Sequence, residues 1–171
     1  TSLMAQVAER EKTGLMMRSM KPQVTLVMIS EFEPSHGPPD GGYNANINVV
    51  LMDLSAAFRP PVHTLDEYIT RSRRAMTKVY ADYIEVSPRR DIVFGGLEGK
   101  ILEPVCIPVS ARLGGTPMKV HGLEYHLLLG ENKLLKLGAY AEDRRFRQYR
   151  STFQKALNGV ESGFGARAPG K

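Results

Sequence analysis

Tryptophan is absent from this chain of 171 residues, cysteine occurs once, and histidine only four times. The single Cys106 excludes an internal disulfide, so stability has to come from a core, and 42% hydrophobic content over this length suffices for one. No apolar run approaches the roughly 20 residues that a membrane-spanning helix needs. Neither a Gly-x-Ser-x-Gly elbow, a phosphate-binding glycine loop closed by Lys-Ser/Thr, nor His-Glu-x-x-His is present. The commonest hydrolase, nucleotide and zinc-protease signatures are therefore missing, and no cofactor or metal is expected. The chain opens at Thr1 without a charged, apolar and cleavage-site series, which suggests a mature form whose targeting segment has been removed.

What the chain does carry is positive charge, unevenly placed. Net charge is +5, with 9 basic and 10 acidic residues in positions 1–85 against 14 and 8 in 86–171. Such a half fits an acidic protein partner, an anionic membrane or nucleic acid. The lack of an RNA-binding aromatic motif, zinc-finger spacing or zipper disfavours nucleic acid.

Residues 2–18 are rich in helix formers, and Val24 to Ile29 reads as a buried strand. The Pro/Gly-rich stretch Glu33 to Gly42 can only be a loop. Asn46 to Leu54 follows as a strand, with Ile47, Val49 and Leu51 on one face, while Asn44, Asn46 and Asn48 project to the other, which offers either a solvated face or a surface for a polar ligand. Thr64 and Glu67 form a capping box ahead of a helix whose apolar stripe includes Leu65, Tyr68, Ile69, Met76, Val79, Tyr80 and Tyr83. Short strands are expected at Ile84 to Val86, Asp91 to Phe94 and Lys100 to Val109, with Gly95-Gly96 as a turn and Leu113 to Pro117 as a loop. Val120 to Leu129 and Leu134 to Ala141 read as a hairpin. The closing helix spans Asp143 to Leu157, with Phe146, Tyr149, Phe153 and Leu157 as its stripe and Gly159 as its C-cap. Several antiparallel strands with helices among them indicate an α+β fold, with residues 1–164 as one domain and 165–171 as a flexible tail.

Few residues invite chemistry. His121 and His126 are five apart on a strand and fall on opposite faces, so they cannot share an ion; His36 with Asp40 is a weak ligand pair. Cys106, in Pro104-Val105-Cys106-Ile107-Pro108, reads as an inert thiol. The arginines of the last helix stand out more. Arg144, Arg147 and Lys155 fall on its solvent side and Arg145 and Arg150 flank the stripe, although positive charge in a first turn opposes the helix dipole by about 0.3 kcal/mol or more per charge. These five form the candidate partner-binding set.

Leu123-Glu124-Tyr125-His126-Leu127, the turn at 130–133, Leu134 to Ala141, Asp143-Arg144-Arg145-Phe146, Tyr149, Phe153 and Ser162-Gly163-Phe164 together resemble the end of PsbP-like domains. Asn46-Ile47-Asn48-Val49-Val50 and the helix from Thr64 resemble their middle, and about 120 residues are covered in the family's order. The start departs from that pattern, because a helix replaces the usual opening strand with its Pro and Trp. The resemblance implies an α/β/α sandwich around a mainly antiparallel sheet. For function it implies a non-catalytic accessory or assembly protein of a larger membrane-associated complex: an extrinsic photosystem-type subunit of the thylakoid lumen, or a bacterial envelope lipoprotein domain of DcrB-like type. A small-GTPase regulator of Mog type is an alternative, as is a small-molecule-binding or hydrolytic domain with its site at the loops 36–43 and 95–99.

Overall fold

The computed structural model describes residues 23–31, 42–107 and 117–165. The expected helix at 2–18, the loop holding His36 and Asp40, most of the loop at 113–117 and the tail from 166 lie outside them. Within these limits the fold is an α/β/α sandwich on one antiparallel sheet, in line with the α+β pattern of the sequence and with the layering that the resemblance implies.

The strands are β1 (Gln23–Ser30), β2 (Asn46–Asp53), β3 (Ala81–Glu85), β4 (Arg90–Phe94), β5 (Leu97–Leu102), β6 (Pro104–Ile107), β7 (Val120–Leu129) and β8 (Lys133–Glu142). They run in the order β1-β2-β8-β7-β5-β4, with β6 also on β7 and β3 on β6. The hairpin β7–β8 is the centre, and its ten residue pairs from Val120↔Glu142 to Leu129↔Lys133 keep one register. The segment expected as one strand over 100–109 is two, β5 and β6, interrupted at Glu103. Both halves pair with β7, while β4 covers the outer edge of one and β3 that of the other. Gly95 and Gly96 turn β4 into β5 with φ of 57° and 82°, a left-handed pair that side chains resist.

Strand alternation gives the sheet two unlike faces. One carries Val49, Leu123, Tyr125, Leu127, Leu135, Leu137, Ala139 and Ala141, all buried, and receives Phe146, Phe153 and Leu157 of the last helix, α3 (Asp143–Gly165). Each of those three side chains contributes about 1.5–3 kcal/mol by leaving water. The expected C-cap at Gly159 is instead an interior position: α3 continues to Gly165, and the break that one glycine costs, about 1 kcal/mol, does not stop it.

The other face is covered by α2 (Leu65–Val79) and the short α1 (Leu54–Ala57), around Leu54, Val62, Tyr68, Ile69, Leu102 and Leu134. Asp53 caps α1 by accepting from the amides of Ser55 and Ala56, so β2 ends at Asp53 rather than at Leu54. Thr64 caps α2 through the Glu67 amide at 3.2 Å, and Glu67 returns to the His63 amide at 3.3 Å. Helix α2 is shorter than its apolar pattern. Tyr80 is its C-cap in extended conformation, so Tyr83 belongs to β3 and Val79 is exposed instead of packed.

Candidate functional site

The five basic residues of α3 divide into two kinds. Arg150 grips the buried Glu103 with both guanidinium nitrogens, Nη1 to Oε1 at 2.7 Å and Nη2 to Oε2 at 2.9 Å. Arg145 reaches Glu31 at 3.2 Å and the Tyr149 hydroxyl, fastening α3 to the end of β1. Both have internal work that the sequence did not disclose, because Glu31 and Glu103 are 114 and 47 positions away. Arg144 pairs with Glu142 yet keeps 66% of its side chain exposed, and Arg147 and Lys155 are also exposed. From Arg144 to Asn158 the helix holds five basic residues and no acidic one.

His121 lies on this same side of the sheet. Its ring stacks on Phe146, centroids 3.7 Å apart, with Nε2 2.9 Å from Glu103 and Nδ1 3.0 Å from Asp143. Both nitrogens are engaged by carboxylates. Glu103 has its pKa lowered: burial alone would raise it, but the bonds from Arg150 and His121 outweigh that.

His126 points to the opposite face and opens a second site, which the sequence reading missed. On the strands β2, β8 and β7, where the α3 side is apolar, the α2 side carries Asn46, Asn48, Lys136, Tyr140, Glu124 and His126. Glu124 is their hub. Its Oε1 accepts from Lys136 Nζ at 2.7 Å and from the Tyr140 hydroxyl at 2.6 Å, and its Oε2 is 2.8 Å from His126 Nε2. Because the carboxylate only accepts, Nε2 carries the hydrogen, and His126 Nδ1 is left buried without a partner.

Electrostatics hold this cluster in one protonation state. Burial alone would push the Glu124 pKa up, but Lys136 and the bond from His126 set it far below the usual carboxylate range. Burial would likewise lower Lys136, and Glu124 overrides it, leaving the amine well above its ordinary value. His126 is lowered by burial more than Glu124 raises it, so it is neutral. Tyr140 and Tyr83 are both raised, by burial first and Glu124 second. The site thus holds one anion, one cation, a neutral imidazole and intact phenols.

Two glycines shape its floor. A Cβ on Gly122 would lie 2.8 Å from the Tyr140 ring, and one on Gly138 would lie 2.6 Å from its hydroxyl, so the ring occupies a slot that only glycine leaves open. Above it is a cavity of about 380 Å³ walled by Tyr43, Tyr80, Tyr83, Met76, Pro104 and Cys106. Cys106 is half-buried, and burial, with Glu124 next, pushes its thiol up to about 11, so it stays protonated at neutral pH. Asn46 donates to the Tyr43 hydroxyl and to the Asn44 carbonyl, both at 3.0 Å. Of this face, Asn48 lines the cavity, and Asn46 is half-buried and held by local bonds.

The signal in the sequence was present but local. Lys136 lies in Leu134-Leu135-Lys136-Leu137 and Glu124 in Leu123-Glu124-Tyr125, single charges inside otherwise apolar strand runs. Of the loops proposed as a ligand site, Tyr43 borders this cavity. Glu98 and Gly99 border another of about 680 Å³, whose Lys100 bridges Asp66 and Asp91 at 3.2 and 2.5 Å. Among the described residues no group of three or more His, Cys, Asp or Glu is placed to hold a metal ion, and no helix is long and apolar enough to cross a membrane.

No known family and no curated protein matches the chain. Solved structures do. A protein of unknown function from Pseudomonas aeruginosa, PA94, matches over 90% of this chain and 88% of its own, with a TM-score of 0.55 at 11% identity. The PsbP protein of the cyanobacterium Synechocystis, CyanoP, matches over 78% of this chain and 79% of its own, with a TM-score of 0.45 at 12% identity. At such identities the likeness is one of fold. The class that the fold defines is an α/β/α sandwich around one antiparallel sheet.

Proposed function

We propose that this protein is a non-catalytic accessory or assembly factor that docks on a larger, membrane-associated complex through the solvent face of α3. The observation that carries this reading is the sorting of charge on that helix. Glu103 and Glu31 take up Arg150 and Arg145, while Arg144, Arg147 and Lys155 present outward on a face without a carboxylate of its own. Arg144 keeps most of its side chain in water beside its pair with Glu142, and Arg147 and Lys155 are exposed, so an acidic protein surface is the partner that this row of charge suits. By the PsbP-like resemblance the compartment is a thylakoid lumen or a bacterial envelope, with the protein peripheral to the membrane.

Two further features favour binding over catalysis. Both ring nitrogens of His121 face carboxylates, and the Cys106 thiol is kept protonated, by burial first and by the charge of Glu124 second. The test is the triple variant Arg144→Glu, Arg147→Glu, Lys155→Glu, which leaves Arg145 and Arg150 in place. Co-purification with the complex should be lost while circular dichroism and melting temperature hold; retention of the complex would refute docking by this face. Binding should also weaken between low and moderate salt, since exposed charges are screened over about 10 Å at 0.1 M.

A further inference from the structure

We propose that the cavity between α2 and the sheet is a binding site for a small, uncharged aromatic molecule that carries a hydrogen-bond acceptor such as a ketone. The cavity lies on the face opposite α3, so this site and the docking helix are separate surfaces.

The cost of the polar cluster is the first argument. A buried ion pair is commonly no more stabilising than apolar side chains of the same volume. The α3 side of the same three strands shows that the sequence can fill the centre of a face almost entirely with Leu, Ala and Val, with Tyr125 as the one buried polar tip and His121 only near the strand end. Folding therefore does not call for Glu124, Lys136, Tyr140 and His126 at the centre of the α2 side, and a polar cluster on a cavity wall is where binding chemistry is expected.

The chemistry of the ligand follows from the walls and the floor. At about 380 Å³ the space is in the lower range of small-molecule sites and suits one ring system with a few substituents. Tyr43, Tyr80, Tyr83 and Tyr140 supply ring faces and edges, and Met76 and Pro104 complete an apolar surround. Lys136 is the polar anchor. An ammonium has three hydrogens; Glu124 accepts one at 2.7 Å and the Tyr140 oxygen takes a second, which leaves one, and Lys136 keeps 19% of its side chain accessible against 9% for Glu124. Glu124 also sets the charge selectivity. It neutralises Lys136, so the site offers a donor without net positive charge, and a carboxylate entering beside Lys136 would face the Glu124 anion in a poorly screened environment. Neutral acceptors are favoured over anions. The slot made by Gly122 and Gly138 fixes the Tyr140 ring before any ligand arrives, so little ordering remains to be done on binding.

The probes are 4-hydroxyacetophenone, neutral, and 4-hydroxybenzoate, of similar size with a carboxylate at neutral pH. Amide NMR spectra of the full chain should show 4-hydroxyacetophenone shifting Gly122, Glu124 and Gly138, with the benzoate at least about tenfold weaker. Cys106→Phe puts a ring into the cavity from β6 and should abolish those shifts. Thr77→Ala, on the exposed face of α2 and outside the cavity, should retain them. A folded Cys106→Phe variant that binds as wild type would overturn the proposal. So would equal or tighter binding of the benzoate, or no shift at millimolar probe. If Cys106→Phe does not fold, Met76→Trp provides the same block from α2.

Discussion

Lys136 and Glu124 depend on each other more than on the rest of the core. Replacing Lys136 by Met strands a buried carboxylate and should cost about 3–5 kcal/mol, whereas the double variant Glu124→Gln, Lys136→Met should recover much of that loss. Urea unfolding of wild type, Lys136→Met, Glu124→Gln and the double variant measures the coupling, and additive losses would contradict it. His126 gives the pair a pH signature. Its folded pKa lies below the 6.5 of the free side chain, because burial disfavours the cation, so below pH 6.5 the unfolded chain takes up a proton that the folded chain refuses. Stability should fall as pH drops from 7 to 5, and His126→Gln should flatten that slope. Gly138→Ala should cost about 1–3 kcal/mol, since its methyl meets the Tyr140 hydroxyl, and should shift the Tyr140 ring signals. These residues were hard to read from sequence because alternation says that Glu124 and His126 share a face but not whether the face is wet. Their burial comes from α2, whose placement across the sheet is a long-range property.

At the scale of elements, local signals served best where local physics decides. Thr64 was legible as a cap because its partner is three residues away, and Thr64→Ala should cost about 1 kcal/mol with a lowered melting temperature. The hairpin β7–β8 was legible for the same reason. The C-terminal end of α2 was not: the 3.6-residue pattern runs on through Tyr83, yet the chain turns extended at Tyr80 to let β3 pair with β6. The split of the 100–109 segment at Glu103 was also hidden, since it reflects which strand lies alongside. Glu103 ties β5, β6 and α3 together, and Arg150→Met should cost about 1–2 kcal/mol, less than a fully buried pair because Arg150 keeps 42% of its side chain exposed. The sign with pH is fixed by the lowered Glu103 pKa. The contribution is complete above the ordinary value of 4.5 and disappears as pH falls through the folded pKa, so wild type and Arg150→Met should converge in stability under acid.

At the scale of the molecule, the sandwich places two different surfaces on opposite sides of one sheet. Helix α3 is seated by an apolar stripe and fastened by Arg145 and Arg150, which leaves Arg144, Arg147 and Lys155 as a rigid basic row. The fold class and the α3 charge were open to sequence reading, since periodicity and composition report both. The division of labour among the arginines was not, because it depends on carboxylates distant in the chain. The docking account is tested most directly by a photo-crosslinker placed in turn at Gln148 and Ser151 on the outer face of α3 and at Arg74 and Thr77 on α2, in cells that make the native complex. The α3 positions should capture one and the same protein, the α2 positions should not, and Arg144→Glu, Arg147→Glu, Lys155→Glu should erase the adduct. Capture from α2 alone, or an α3 adduct indifferent to charge reversal, would contradict docking through α3.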